Sequence, residues 1–255
     1  MSIFDMLRNK MNNSAKKKRE SKLTTEIITL PKNYSADWRD NMDLNKVPIG
    51  ITPEDKMIFW NLDRPLMYVG SNGFGVSGNV GHILKYCQPY FTIHVFDTGT
   101  DFNTVARRLQ HKLDDDKRSS IKIYANRDNI LDALQNLCTT KQEQPQLIIF
   151  NGIDEFIAET SPSVLEQIRL MFKHGLRNKL YIVANLLHPN KHNAEKELIG
   201  NSMVVAIKQD SEEQNLKLFK DPLEEDLQNT EHRWWHTMKD DEVVQFMVFY
   251  ETLLA

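Results

Sequence analysis

Leu66-Met67-Tyr68-Val69-Gly70-Ser71-Asn72-Gly73-Phe74-Gly75-Val76-Ser77-Gly78-Asn79 is the stretch that decides the fold of this chain. Four apolar residues run into Gly70, and three more glycines follow by Gly78. Against the phosphate-loop pattern GxxxxGK[ST], Gly70, Gly75 and Ser77 fall in register, while Val76 stands where the lysine belongs. Such a loop needs glycines because successive backbone N–H groups must turn inward as an anion nest at a helix N-terminus. The lysine neutralises the terminal phosphates, and this chain keeps the spacing of the nest without that charge. Gly70, Ser71, Asn72, Gly73, Phe74, Gly75, Val76, Ser77 and Gly78 are therefore the candidate nucleotide-binding residues.

The bulk of the chain narrows the classes that such a loop could serve. Its 255 residues, 40% apolar and 26% charged, suit one large α/β domain or two small ones, and a net charge of −3 does not favour nucleic acid. The charge is uneven: residues 1–30 carry +4 and the remainder −7. Ile3, Phe4, Leu7 and Met11 lie at helical spacing ahead of a Lys-rich run, and a solvated basic tail outweighs a membrane-surface helix as its reading. Cys87 and Cys138 have no metal spacing and read as reduced thiols. No apolar run is long enough to span a membrane and no signal peptide opens the chain, so a cytoplasmic protein is expected.

Outward from the loop, strand and helix patterns alternate. Val47–Ile51 and Lys56–Trp60 read as short strands before the loop. A helix is expected over Val80–Tyr86, with Gly78 and Gly81 weakening its first turn. Tyr90–Asp97, Ile121–Tyr124, Gln146–Asn151, Leu180–Ala184 and Met203–Ile207 read as strands. Helices are expected over Asp101–Leu113, Asp128–Cys138 and Ser163–His174. The Gln146–Asn151 run is apolar throughout rather than alternating, as in a parallel sheet covered on both faces. An acidic connector follows Asp210. Arg233–Met238 and Glu242–Tyr250 then flank the turn Lys239-Asp240-Asp241 as a β-hairpin, with Trp234 and Trp235 on opposite faces. The pattern predicts a doubly wound, mainly parallel α/β domain with a C-terminal β-hairpin.

The order Pro48-Ile49-Gly50, loop strand, Val95-Phe96-Asp97, Leu147–Asn151, Ile182–Asn185 and Val205–Ser211 resembles the FtsK/SpoIIIE family of P-loop (RecA/FtsK-like) ATPases. The hairpin and the Leu30-Pro31 segment are most similar to the C-terminal, third ATPase domain of type VII secretion ATPases of the EssC type. The resemblance implies a degenerate P-loop domain over residues 30–255 behind a basic, flexible tail over 1–29. The family's phosphate lysine corresponds to Val76 and its Mg²⁺-holding strand-end aspartate to Asn151. The adjacent water-activating acid corresponds to Gly152, with Asp154 and Glu155 close behind, and the nucleotide-sensing Thr-Gln pair corresponds to Asn185-Leu186. Asp154 and Glu155 read as helix-capping acids ahead of a displaced ligand and base.

Losing one charge-assisted phosphate contact costs on the order of 1.5–3 kcal/mol, and phosphoryl transfer is nearly all positioning and electrostatics. The resemblance therefore implies a pseudo-ATPase module of a type VII protein secretion motor, with no catalytic residues and no metal site of its own. ATP would bind weakly or not at all, with Mg²⁺ only alongside ATP. Its expected partners are other ATPase domains of a membrane-bound motor and small helical secreted substrates, with no nucleic acid and only indirect contact with the inner face of the membrane. The alternative is an active ATP-driven translocase of protein or DNA using displaced groups. Full-length relatives carry membrane helices and several ATPase domains, so this chain is expected to be a stand-alone paralogue or a fragment. His188/His192 and His232/His236 share i,i+4 spacing but do not suit a metal, lying on a loop and a strand.

Overall fold

The computed structural model describes residues 46–70, 76–88, 90–97, 121–158, 160–186, 193–207, 212–219, 235–239 and 242–249. The expected tail, the loop residues Ser71–Gly75, the expected helix Asp101–Leu113, His188, His192, His232 and Trp234 lie outside them.

The chain opens with strands β1 (Val47–Ile51), β2 (Met57–Trp60) and β3 (Leu66–Val69), then helix α1 (Val76–Cys87). Strands β4 (Thr92–Asp97) and β5 (Ile121–Tyr124) precede helix α2 (Arg127–Thr139). Strand β6 (Gln146–Asn151) turns at once into the short α3 (Ile153–Ala158), followed by α4 (Pro162–His174) and a 3₁₀ turn, Gly175–Asn178. Strand β7 (Leu180–Leu186), α5 (Asn193–Gly200), β8 (Met203–Ile207) and α6 (Glu212–Phe219) complete the alternation. Strands β9 (Trp235–Lys239) and β10 (Glu242–Val248) form the expected hairpin.

All ten strands share one sheet, ordered β2-β1-β10-β9-β8-β3-β7-β6-β4-β5. From β8 to β5 every pairing is parallel, and from β8 outward to β2 every pairing is antiparallel. The loop strand β3 sits inside the parallel half, between β7 and β8. The C-terminal hairpin is not an appendage: β9 pairs with β8 and β10 with β1, so it welds the first strands onto the parallel half. Gly50 makes that junction fit, because a Cβ there would run into the Met247 carbonyl oxygen and the Phe246 ring.

Side chains alternate across the pleat, so the sheet has two apolar faces. Leu66, Tyr68, Val95, Ile149 and Val183 pack on one side with Val80, Ile83, Leu84 and Cys87 of α1. Met67, Val69, Phe96, Phe150 and Ala184 pack on the other with residues of α2, α3 and α4. Helices on both faces of a mainly parallel sheet are the doubly wound α/β arrangement expected from the run of motifs.

Three expectations need correction. Helix α1 begins at Val76, not Val80, and runs through Gly78 and Gly81, both buried. Tertiary packing supplies more helix stability than propensity does, and it overrides the glycine cost here. Helices α5 and α6 were not expected. Their one-sided apolar contacts are few, Leu198 in α5 and Leu218 and Phe219 in α6, so a polar run masked the period. The first turn of α6 falls inside the stretch read as an acidic connector, with Glu212 and Glu213 where acids favour a helix start.

Candidate functional site

The parallel strands end together beside the start of α1, and their last polar residues line up. Asp97 on β4 pairs with Asn151 on β6, Phe150 pairs with Ala184 on β7, and Asn185 pairs with Tyr68 on β3. One row across the sheet therefore reads Asp97, Asn151, Asn185, Tyr68. Tyr68 belongs to the cluster packed on α1, so the whole row faces that side. Gly70, just past β3, is buried and donates its N–H to the Leu186 carbonyl at 3.1 Å, which ties the loop strand to β7.

The three polar members are hydrogen-bonded in series. Asn185 Nδ2 donates to Asn151 Oδ1 at 2.7 Å, and Asn151 Nδ2 donates to Asp97 Oδ1 at 3.0 Å. A carboxylate only accepts, so Asp97 fixes which way the Asn151 amide points, and Asn151 in turn fixes Asn185. Asp97 is fully buried and Asn185 is 1% exposed. The series ends at Asn185 Oδ1, a buried acceptor without a hydrogen-bond partner. That free end suits a donor such as water and not a phosphate oxygen. Near the start of α1, Asn79 is 1% exposed and both ends of its amide also lack hydrogen-bond partners. Tyr68 continues the row as an apolar anchor: burial pushes its hydroxyl far above the usual phenol range, and its ring meets Trp235 edge-on at 5.8 Å.

The other expected residues fall into place around this row. Val76, Ser77 and Gly78 form the first turn of α1, and Gly70 precedes the loop. Asn151 ends β6, as the sequence placed it. Gly152 adopts φ 71°, the left-handed backbone that lets β6 turn straight into α3. Most side chains are disfavoured in that backbone, and glycine takes it without strain. Asp154 is the second residue of α3 and 1% exposed; it is inside the helix and does not cap it from the preceding position. Glu155 follows in the same helix. Leu186 is fully buried and belongs to the opposite face from Asn185. His236 is buried on β9.

The donor set does not suit Mg²⁺. A hard cation takes anionic or neutral oxygens with free lone pairs. Asn151 is a neutral amide whose oxygen already accepts from Asn185 and whose nitrogen points at Asp97, so Asn185 Oδ1 is left as a lone neutral oxygen with no carboxylate oxygen shown beside it. Among the described residues, no three His, Cys, Asp or Glu side chains converge.

The hydrogen bond between Asp97 and Asn151 was not expected from the sequence. The only available signal was that Val95-Phe96-Asp97 and Ile149-Phe150-Asn151 end alike.

No family model matches the sequence, and no curated protein matches it either. Solved structures do match. A structure of EssC ATPases 2 and 3 from Geobacillus thermodenitrificans is 16% identical with a TM-score of 0.64, over 96% of this chain and 49% of that one. The monomer form of the pCW3 conjugation coupling protein TcpA, solved with ATPγS, is 8% identical with a TM-score of 0.64, over 88% and 70%. The cytoplasmic domain of the type VII secretion ATPase EccC from Thermomonospora curvata is 11% identical with a TM-score of 0.55, over 81% and 28%. The chain thus spans about half of the EssC structure and less of EccC. Its fold is that of these FtsK-like ATPase domains, and the likeness to EssC expected from the motifs holds at the level of fold.

Proposed function

We propose that this chain is a catalytically degenerate ATPase-like module of a type VII protein secretion motor, serving in docking and regulation instead of hydrolysis. The observation that carries the reading is the Asp97–Asn151–Asn185 series, which fills the strand ends with amides bonded to one another. Phosphoryl transfer needs charge placed against the developing transition state, and neutral amides engaged with one another supply none. Val76 stands in place of the phosphate cation, and Gly152 in place of the adjacent acid.

On this reading residues 30–255 make up the domain and residues 1–29 a basic tail. Gly70 and the turn Val76-Ser77-Gly78 frame a loop that holds ATP weakly or not at all. The partners are other ATPase domains of the motor and small helical secreted substrates, at the inner face of the membrane. Supporting this are the fold shared with EssC and EccC domains and a chain that spans part of such proteins. Among the described residues no helix is long and apolar enough to cross a membrane.

A DNA-moving ATPase is the second reading, favoured by the shared fold of the conjugation coupling protein. The −7 charge outside the first 30 residues opposes it. Steady-state ATP hydrolysis by the purified chain separates the two. The module reading expects turnover below about 0.1 s⁻¹, because working enzymes commonly run at 1 s⁻¹ or faster. Faster turnover that disappears in Ser77→Ala would establish a working ATPase.

A further inference from the structure

We infer that the Asp97–Asn151–Asn185 series is a metal-free replacement for a cation site, so that nucleotide taken up at this sheet end is bound as the free anion, without Mg²⁺. The inference rests on the preceding reading only in assuming that the loop end of β3 is where nucleotide would sit.

Three observations carry it. Asn151 engages both ends of its amide within the row, at 2.7 Å and 3.0 Å, and offers a cation a neutral, already bonded oxygen in place of a carboxylate. The one anion of the series, Asp97, is fully enclosed and receives the Asn151 N–H. Gly152, the next residue, carries no carboxylate that would help hold the metal. The Asn151 N–H does electrostatically what a cation would do: it places partial positive charge against Asp97.

The same geometry predicts how to undo the replacement. In Asn151→Asp, an oxygen takes the place of Nδ2, about 3.0 Å from Asp97 Oδ1. Two carboxylates that close cannot both ionise; they share a proton or recruit a cation. The Asn185 amide still donates to the new carboxylate, so nothing else in the row is lost.

The test uses the full chain in two measurements, each with millimolar MgCl₂ or with EDTA. The first is titration with a fluorescent ATP analogue, and the second is thermal unfolding without nucleotide. For the wild type, the Kd is expected to agree within about twofold between the two conditions, and Tm to be unchanged. For Asn151→Asp, Mg²⁺ is expected to raise Tm by at least about 2 °C, the shift that roughly 1 kcal/mol produces in a domain of this size. A wild-type Kd tightened tenfold or more by Mg²⁺ overturns the inference, as does a wild-type Tm raised by Mg²⁺ alone. Asn151→Asp melting identically in both conditions overturns it too. Absence of saturable nucleotide binding in both conditions overturns it and leaves the docking reading intact. If the variant does not fold, the wild-type arms still decide. Metal-dependent binding without turnover sinks this inference alone, whereas turnover sinks the pseudo-ATPase reading.

Discussion

The two halves of the sheet are built differently, and their polar and aromatic residues are arranged differently. The parallel half, β8 to β5, carries polar residues at its strand ends: Asp97 and Asn185 are almost wholly enclosed, and Asn151 joins them. The antiparallel half, β9, β10, β1 and β2, encloses the large rings of Trp60, Trp235 and Phe246 along with His236 and Thr237. In one half the strand ends carry a row of side chains hydrogen-bonded to one another. In the other, aromatic bulk lines the seam where β10 pairs with β1 and β9 with β8. A buried polar series contributes little net stability and a great deal of geometric definition, whereas buried aromatics contribute mainly stability. The difference places geometric definition at the strand ends of the parallel half and packing cohesion in the antiparallel half.

The strongest way to break that comparison is Trp235→Ala. Trp235 is 2% exposed and stacks edge-on against Tyr68, which lies in the polar row. Truncating a buried tryptophan should cost about 3–5 kcal/mol in denaturant unfolding. A loss below about 1 kcal/mol would mean that the hairpin is not what holds the halves together.

A smaller effect sharpens the other side. Asn151→Leu strips a donor from the buried Asp97 and an acceptor from Asn185, and should cost about 1–3 kcal/mol. Adding Asn185→Leu should cost less than the two single changes summed, by at least about 0.5 kcal/mol, because both remove the same bond. Additive losses in equilibrium unfolding would show that the three residues do not act as a series.

The smallest effect lies at the opposite end of the parallel half. His94 is buried, with Nε2 donating to Gln146 Oε1 at 3.0 Å and Nδ1 accepting from the Tyr124 hydroxyl at 3.2 Å. Gln146 donates its own amide to the Gln144 carbonyl at 2.9 Å, which fixes that orientation. Burial lowers the His94 pKa from the ordinary 6.5; the Gln146 bond opposes this and Lys122 adds to it. The unfolded chain therefore takes up the proton first. The contribution of His94 is fully present above pH 6.5 and is lost as pH falls below it toward the folded-state value. Unfolding free energies measured across that range should decline for the wild type and decline less for His94→Gln. Equal slopes would remove His94 from the account.

Much of the fold is legible in the residues because parallel strands buried on both faces are written as unbroken apolar runs. Gln146–Asn151 and Met203–Ile207 have the bounds the sequence predicts, and the hairpin lies where its polar turn marks it. Helices α5 and α6 escaped because short helices with one or two buried contacts leave no period to read. The start of α1 escaped because two glycines disguise a helix that packing enforces.

By itself, the sequence determined the α/β class, the place of the glycine loop after β3, and the residue types at the positions matched to the family motifs: Val76, Asn151, Gly152 and Asn185. Residue type depends on the chain alone. Only the tertiary structure decided that Asp97, Asn151 and Asn185 are neighbours in one row, that Gly152 is left-handed, and that the terminal hairpin completes the sheet. Register between strands far apart in sequence is set by how all of them pack, and no local pattern encodes it.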